Sequence, residues 1–205
     1  MKVALVWPFG FETNSMVPLS LAYLKSNLAS TGHEIRLFDF SLRERNDFGE
    51  FKSFLESFVP DVVGVSSLSS TFLHAIEILE FVKTLSPGTI TVMGGEHASV
   101  YPDKTMDCPH LDYLLMGEGE KSFGDFLNAL EAKALERSSI PGLVYRENGR
   151  LVKTPIALLA DLDSLKYPDY DFIDLEGYIK RGYRYIAKGR NAPILLTRGC
   201  PYSCE

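Results

Sequence analysis

Short apolar runs alternate along this chain with stretches whose apolar residues recur every three or four positions. Residues 3–6 form the first run, stopped by Pro8 and Gly10 as a buried strand would be. Val17, Leu21, Leu24 and Leu28 then share one helical face, which Thr31-Gly32 closes. Residues 34–40 alternate polar and apolar, the pattern of a second strand. Phe51, Phe54, Leu55 and Phe58 make another helical stripe ended by Pro60, and residues 62–65 give a third strand. Phe72, Ile76, Leu79 and Val82 mark a further helix, Pro87-Gly88 a turn, and residues 89–93 a fourth strand. A short helix and loop is expected over 98–110 and a fifth strand over 113–116. Phe123, Phe126, Leu127 and Leu130 predict the helix that follows.

Strands that alternate with amphipathic helices at this interval imply right-handed βαβ crossovers and a parallel sheet covered on both faces. The near-continuous apolar strands agree with burial on both sides. The expected fold is α/β over residues 1–135: a doubly wound, flavodoxin-like five-stranded parallel sheet of order 2-1-3-4-5. Residues 136–192 differ in character. Residues 143–146 and 150–153 flank Asn148-Gly149, a pairing suited to a tight hairpin turn. Residues 161–171 are rich in turn formers and lack periodicity, which predicts a linker lying over the domain. A third unit is expected to start at 193–205, with the apolar run 193–197 as its first strand.

Composition narrows the class of protein. A chain of 205 residues, 45% hydrophobic, can bury one full core. The net charge of -6 and the lack of a Lys/Arg block argue against a nucleic-acid surface. No apolar run approaches membrane-spanning length, and residues 1–8 suit a first strand better than a signal peptide. Three cysteines are unlike a secreted disulfide framework, with Cys108 standing alone as a structural thiol. A soluble cytoplasmic location is expected.

In an open parallel sheet, ligands bind outside the carboxyl ends of the strands. Small and permissive residues gather at those ends here: Pro8-Phe9-Gly10, Ser66-Ser67-Leu68, Gly94-Gly95-Glu96-His97 and Gly117-Glu118-Gly119-Glu120. Glycine allows a ligand close to the backbone, and helix N-termini present free N–H groups to phosphate. Any one of these loops is also what a tight βα turn needs; four in succession describe a crevice. Glu96 and His97 can serve there as ligand contacts or simply as helix-start residues, and Glu118 and Glu120 likewise. A receiver domain would need an acidic pair after strand one and an aspartate after strand three, and neither is present. A dinucleotide fold would need G-x-G-x-x-G after strand one, which is also absent.

The chain ends Arg198-Gly199-Cys200-Pro201-Tyr202-Ser203-Cys204-Glu205. Soft thiolates converging from one tight loop are what an iron–sulfur cluster requires. The spacing resembles the opening of the radical S-adenosylmethionine signature C-x3-C-x2-C, whose third cysteine would fall two residues beyond Glu205. Ser66-x-Leu68 followed by Gly94-Gly95 resembles the S-x-L…G-G pair of cobalamin-binding domains. Gly117-Glu118-Gly119-Glu120 is similar to a segment of such domains when fused to radical SAM domains. The resemblance implies a cobalamin-binding N-terminal domain of a radical SAM enzyme whose C-terminal catalytic barrel is missing here. Ser66 would then hydrogen-bond the benzimidazole end of the nucleotide tail and Leu68 would pack against it. Gly94 and Gly95 would let the ribose-phosphate pass, and Pro8, Gly10, Thr71, His97, Gly117, Glu118 and Gly119 would line the same crevice. Cys200 and Cys204, with the absent cysteine, would hold a [4Fe-4S] cluster that binds S-adenosylmethionine, for methyl transfer or an oxidative cyclisation in the intact protein. The loop after strand one departs from the D-x-H-x-x-G motif whose histidine ligates cobalt. None of His33, His74, His97 and His110 has an aspartate two positions earlier. The competing reading is a flavodoxin-like interaction module without a cofactor.

Overall fold

The first strand, β1 (Lys2–Trp7), is hydrogen-bonded on both sides in a seven-stranded sheet of order β2-β1-β3-β4-β5-β6-β7. The computed structural model describes residues 1–10, 16–28, 32–43, 45–159, 161–183 and 189–199. Along the chain, α1 (Leu19–Leu28) follows β1, and β2 (Glu34–Asp39) is followed by α2 (Phe48–Phe58). Next come β3 (Val62–Ser66), α3 (Phe72–Leu85) and β4 (Ile90–Gly94). The expected helix and loop over 98–110 is two short helices, α4 (Glu96–Val100) and α5 (Pro102–Met106), the second opening on a proline whose missing N–H costs nothing there. Then β5 (Tyr113–Leu115) and α6 (Gly119–Glu131) complete the doubly wound part.

The first five strands are parallel in the order 2-1-3-4-5, as the alternation predicts. The hairpin is no appendage. Its strands, β6 (Leu143–Glu147) and β7 (Arg150–Lys153), continue the same sheet, with β6 antiparallel to β5. Asn148 and Gly149 both take positive φ, +50° and +75°, as a two-residue hairpin turn demands.

Strand parity divides the core. Ala4, Val6, Val63, Val65 and Met93 face α2 and α3, whereas Val3, Leu5, Trp7, Val62 and Val92 face α1 and α6. A third cluster joins Val17 and Ala22 to Ile173, Tyr178 and Tyr183. The linker thus packs along α1 and the β2 edge, with α7 (Leu175–Lys180) carrying Tyr178. That is why α1 buries Leu21, Ala22, Tyr23 and Leu28 rather than a single stripe. Asp169 N–H donates to the Ala22 carbonyl and Lys166 N–H to Asn27 Oδ1, which ties the linker to that helix.

The run 193–197, expected as a strand, is irregular. Among the described residues it finds no ladder partner, and the Tyr170 hydroxyl instead donates to the Pro193 carbonyl at 2.5 Å. No helix among the described residues is long and apolar enough to cross a membrane.

Candidate functional site

Chain direction reverses about β1: the connection to β2 runs one way and the crossover to β3 the other. The switch point therefore lies between the carboxyl ends of β1 and β3, where open α/β sheets bind ligands. The loops after β3 and β4 form its near wall. Ser66 and Gly94 are register partners. Ser67 N–H donates to the Gly94 carbonyl at 2.9 Å, and His97 N–H donates to the Ser67 carbonyl at 3.1 Å. Gly95 sits inside this stitch with φ +95°. A Cβ on it would stand 2.7 Å from the Ser67 carbonyl oxygen and 2.9 Å from its nitrogen. Gly94 is different, because a Cβ there would meet only the Leu115 carbonyl, at 3.6 Å. One glycine is required by the wall; at the other a Cβ would sit in ordinary contact with the neighbouring strand.

Ser66 is half-buried, and among the described residues its hydroxyl has no hydrogen bond. Leu68 packs on the core beneath. The Thr71 hydroxyl is used locally, accepting from Leu68 N–H at 3.1 Å and donating to its carbonyl at 3.2 Å, so that it closes the loop ahead of α3. Pro8 is buried, and its carbonyl accepts from Ser41 Oγ. A Cβ on Gly10 would meet nothing within 4 Å. Phe11 to Ser15, the rest of that loop, lie outside the described residues.

Two histidines stand near the crevice, and both are engaged. His74 Nδ1 accepts from Phe9 N–H at 2.9 Å, which pins the loop after β1. Burial pushes His74 down to about 4; Glu77 opposes that and the Arg45 charge reinforces it, so the imidazole stays neutral as an acceptor. His97 stacks on Phe72 with centroids 4.0 Å apart, and its Nδ1 meets Ser69 Oγ at 3.0 Å. Its Nε2 is shielded and meets no partner among the described residues, and burial lowers its pKa. Leu73, Val100 and Tyr101 stay exposed beside this stack as an apolar rim.

The loop after β5 forms the far wall, and the linker engages it. Gly117 N–H donates to Ser99 Oγ, which donates in turn to the Gly95 carbonyl. A Cβ on Gly117 would stand 2.7 Å from Ile156 Cγ2. Gly119 opens α6 against Leu24. Glu118 occupies the N-cap position of α6 but does not cap it; its Oε2 accepts from Leu159 N–H at 2.7 Å. Arg198 reaches both carboxylates, at 3.5 Å to Glu118 and 2.5 Å to Glu120, with its guanidinium 5.2 Å from the Tyr23 ring centroid. Sequence reasoning missed this cation, since its partners lie some eighty positions earlier and no local pattern announces the pairing. Cys200 and Cys204 lie outside the described residues.

A separate cavity of about 380 Å³ opens between the end of β2 and the linker, away from these loops. Its charged groups are already satisfied. Arg43 pairs with Glu50, Asp39 accepts from Tyr178 and Ser41, and Asp174 caps α7.

The sequence profile of the B12 binding domain family matches residues 13–127. An uncharacterized methyltransferase of Pyrococcus horikoshii is 31% identical over an alignment covering 100% of this chain and 44% of its own length. An anaerobic magnesium-protoporphyrin IX monomethyl ester cyclase of Rubrivivax gelatinosus is 27% identical over 92% of this chain and 34% of its own. In three dimensions, the cobalamin-dependent S-adenosylmethionine radical enzyme OxsB, solved with aqua-cobalamin and S-adenosylmethionine, shares the fold at a TM-score of 0.74 and 23% identity. That alignment covers 88% of this chain and 25% of OxsB. The chain spans less than half the length of these curated relatives.

Proposed function

The chain belongs to the B12-binding domain family, and on that footing we propose that it takes the nucleotide tail of cobalamin between the loops after β3 and β4. The observation that carries this reading is a Ser66 hydroxyl with no hydrogen bond among the described residues, set beside Gly94, where the lack of a side chain keeps the backbone approachable. A nucleotide tail needs such an approach and such a donor, and Leu68 offers it an apolar contact. In this reading Gly10 and Pro8 border the cofactor from β1, Thr71 and Gly95 shape the wall, and His97 supports it through Phe72. Gly117, Glu118 and Gly119 close the far side. The family match favours this over an interaction module without a cofactor.

The same reading makes the chain one part of a radical SAM enzyme. Its relatives are called methyltransferase and cyclase, and it spans only a fraction of their length. Cys200 and Cys204, with a further cysteine beyond Glu205, would hold a [4Fe-4S] cluster, and S-adenosylmethionine would bind that cluster in the intact protein. The reaction would be methyl transfer to carbon or an oxidative ring closure. Cobalamin would supply a redox-active cobalt centre, since cofactors carry the hard chemistry and the protein positions and shields them. This chain alone would then be catalytically inert.

Titration with hydroxocobalamin, followed by gel filtration and visible absorbance, tests the cofactor. Co-elution is expected; cobalamin that elutes wholly free at concentrations well above micromolar returns the reading to a cofactor-free module. Substitutions sharpen the assignment. Gly94→Val should abolish co-elution while leaving the melting temperature near wild type, because a Cβ there meets the wall only in ordinary contact and β4 suits a β-branched residue. Ser66→Ala should weaken binding by only about 0.5–1.5 kcal/mol, one hydrogen bond. Equal losses from the two would argue against a slot at Gly94.

A further inference from the structure

We infer that Arg198 is a positioning residue, a latch that registers the cysteine-bearing segment on the cobalamin crevice through Glu118 and Glu120. This rests on the reading that Cys200 and Cys204 serve a cluster. The side chains of Arg198, Glu118 and Glu120 are only 19%, 20% and 8% exposed, so the ion pairs are largely withdrawn from water. An exposed pair would contribute little, but removing the cation here strands two shielded carboxylates beside each other. The latch gathers distant pieces of chain: the loop after β5, Tyr23 of α1, Leu159 of the linker, and Arg198 itself.

It is also wired to the crevice. The Gly95 carbonyl accepts from Ser99 Oγ, Ser99 Oγ accepts from Gly117 N–H, and the next residue is Glu118. A shift of the β4 loop is therefore felt at the carboxylates that hold Arg198. Two residues of chain span at most about 7 Å, so a latch at Arg198 restricts where the first thiolate after it can go. A cluster that must act on a substrate beside cobalamin needs that restriction, since small misplacements are costly to rate.

The test uses the full-length protein, loaded with cobalamin and with its cluster reconstituted, as wild type, Arg198→Gln, Arg198→Lys and the swap Arg198→Glu with Glu120→Arg. Two readings are taken: amide exchange at Leu159, and the distance distribution between cobalt(II) and the reduced cluster by pulsed electron paramagnetic resonance. Arg198→Gln should speed Leu159 exchange at least tenfold and broaden the distance distribution, with cobalamin and iron contents unchanged. Arg198→Lys should fall between the two, and the swap should recover toward wild type. Wild-type exchange and distances in a fully loaded Arg198→Gln protein would overturn the inference, as would a swap no better than the single change. A wild-type protein that takes up no cobalamin would instead sink the proposed function, and Leu159 exchange would still decide whether the latch exists.

Discussion

Gly95→Ala is expected to lower the melting temperature by about 6–12 °C. The glycine holds φ +95° and ψ -178°, a region almost closed to side-chain-bearing residues. The added carbon would also stand 2.7 Å from the Ser67 carbonyl oxygen and 2.9 Å from its nitrogen. Backbone atoms inside a paired loop cannot swing aside as a side-chain tip can. The strain and overlap together are worth about 3 kcal/mol, and a chain of this size loses about 2–4 °C per kcal/mol. Gly94→Ala, one residue earlier, places its methyl in ordinary contact at 3.6 Å and should melt near wild type. Scanning calorimetry of the two variants side by side checks the difference. If they melt alike, the wall between the β3 and β4 loops is not built as described. The contrast also divides the double glycine by role. Read from sequence, both residues leave room for a ligand; in the fold, Gly95 is needed by the loop whether or not a ligand is present.

Much of this architecture was legible because it is local. Apolar runs at residues 3–6, 62–65 and 89–93 could bury only as central strands, and the helical stripes between them dictated crossovers. The Asn148-Gly149 turn announced its hairpin, but not that β6 would pair antiparallel with β5. That choice depends on an edge which exists only after the sheet forms. The apolar run 193–197, expected as the first strand of a further unit, is irregular and finds no ladder partner among the described residues; an apolar run becomes a strand only where a neighbour offers its backbone groups an edge. At the site, sequence singled out the loops at the carboxyl ends of the strands while saying little about which of their polar groups were already used. Thr71 is consumed by its own turn, His97 by Phe72 and Ser69, and Glu118 by Leu159 and Arg198. Those pairings span from a few to about eighty positions, and periodicity carries no information about them.

Replacing Asp39 by Asn should flatten the pH dependence of stability between pH 4 and pH 7. Asp39 ends β2 and is 3% exposed, with Oδ2 accepting from the Tyr178 hydroxyl at 2.7 Å and Oδ1 from Ser41 N–H at 2.8 Å. Burial pushes its carboxyl from 3.8 up to about 6, against the hydrogen bonds from Tyr178, Ser41 and Leu42 and the charge of Arg43. Desolvation thus outweighs four favourable contacts. Tyr178 is itself held well above the usual phenol range by burial and by the facing carboxylate, so it stays a donor throughout. A carboxyl whose folded value is raised binds more protons folded than unfolded across that window. Its contribution is therefore fully present below about pH 4 and lost as pH rises through about 6, by about 3 kcal/mol over the whole change. Arg43, Glu50 and Arg181 are its charged neighbours, and wild type and variant share them. The quantity to measure is accordingly the difference between wild type and Asp39→Asn in urea titrations at several pH values. The Asn variant should gain on wild type as pH rises from 4 to 7 and hold that gain above. Parallel curves would mean that Asp39 titrates as a solvated acid, and that the linker does not seal the end of β2 through Tyr178. The residue matters beyond stability, since α7 carries the chain onward from β2 toward Arg198. A linker loosened at Tyr178 would enter the latch with less of its path fixed.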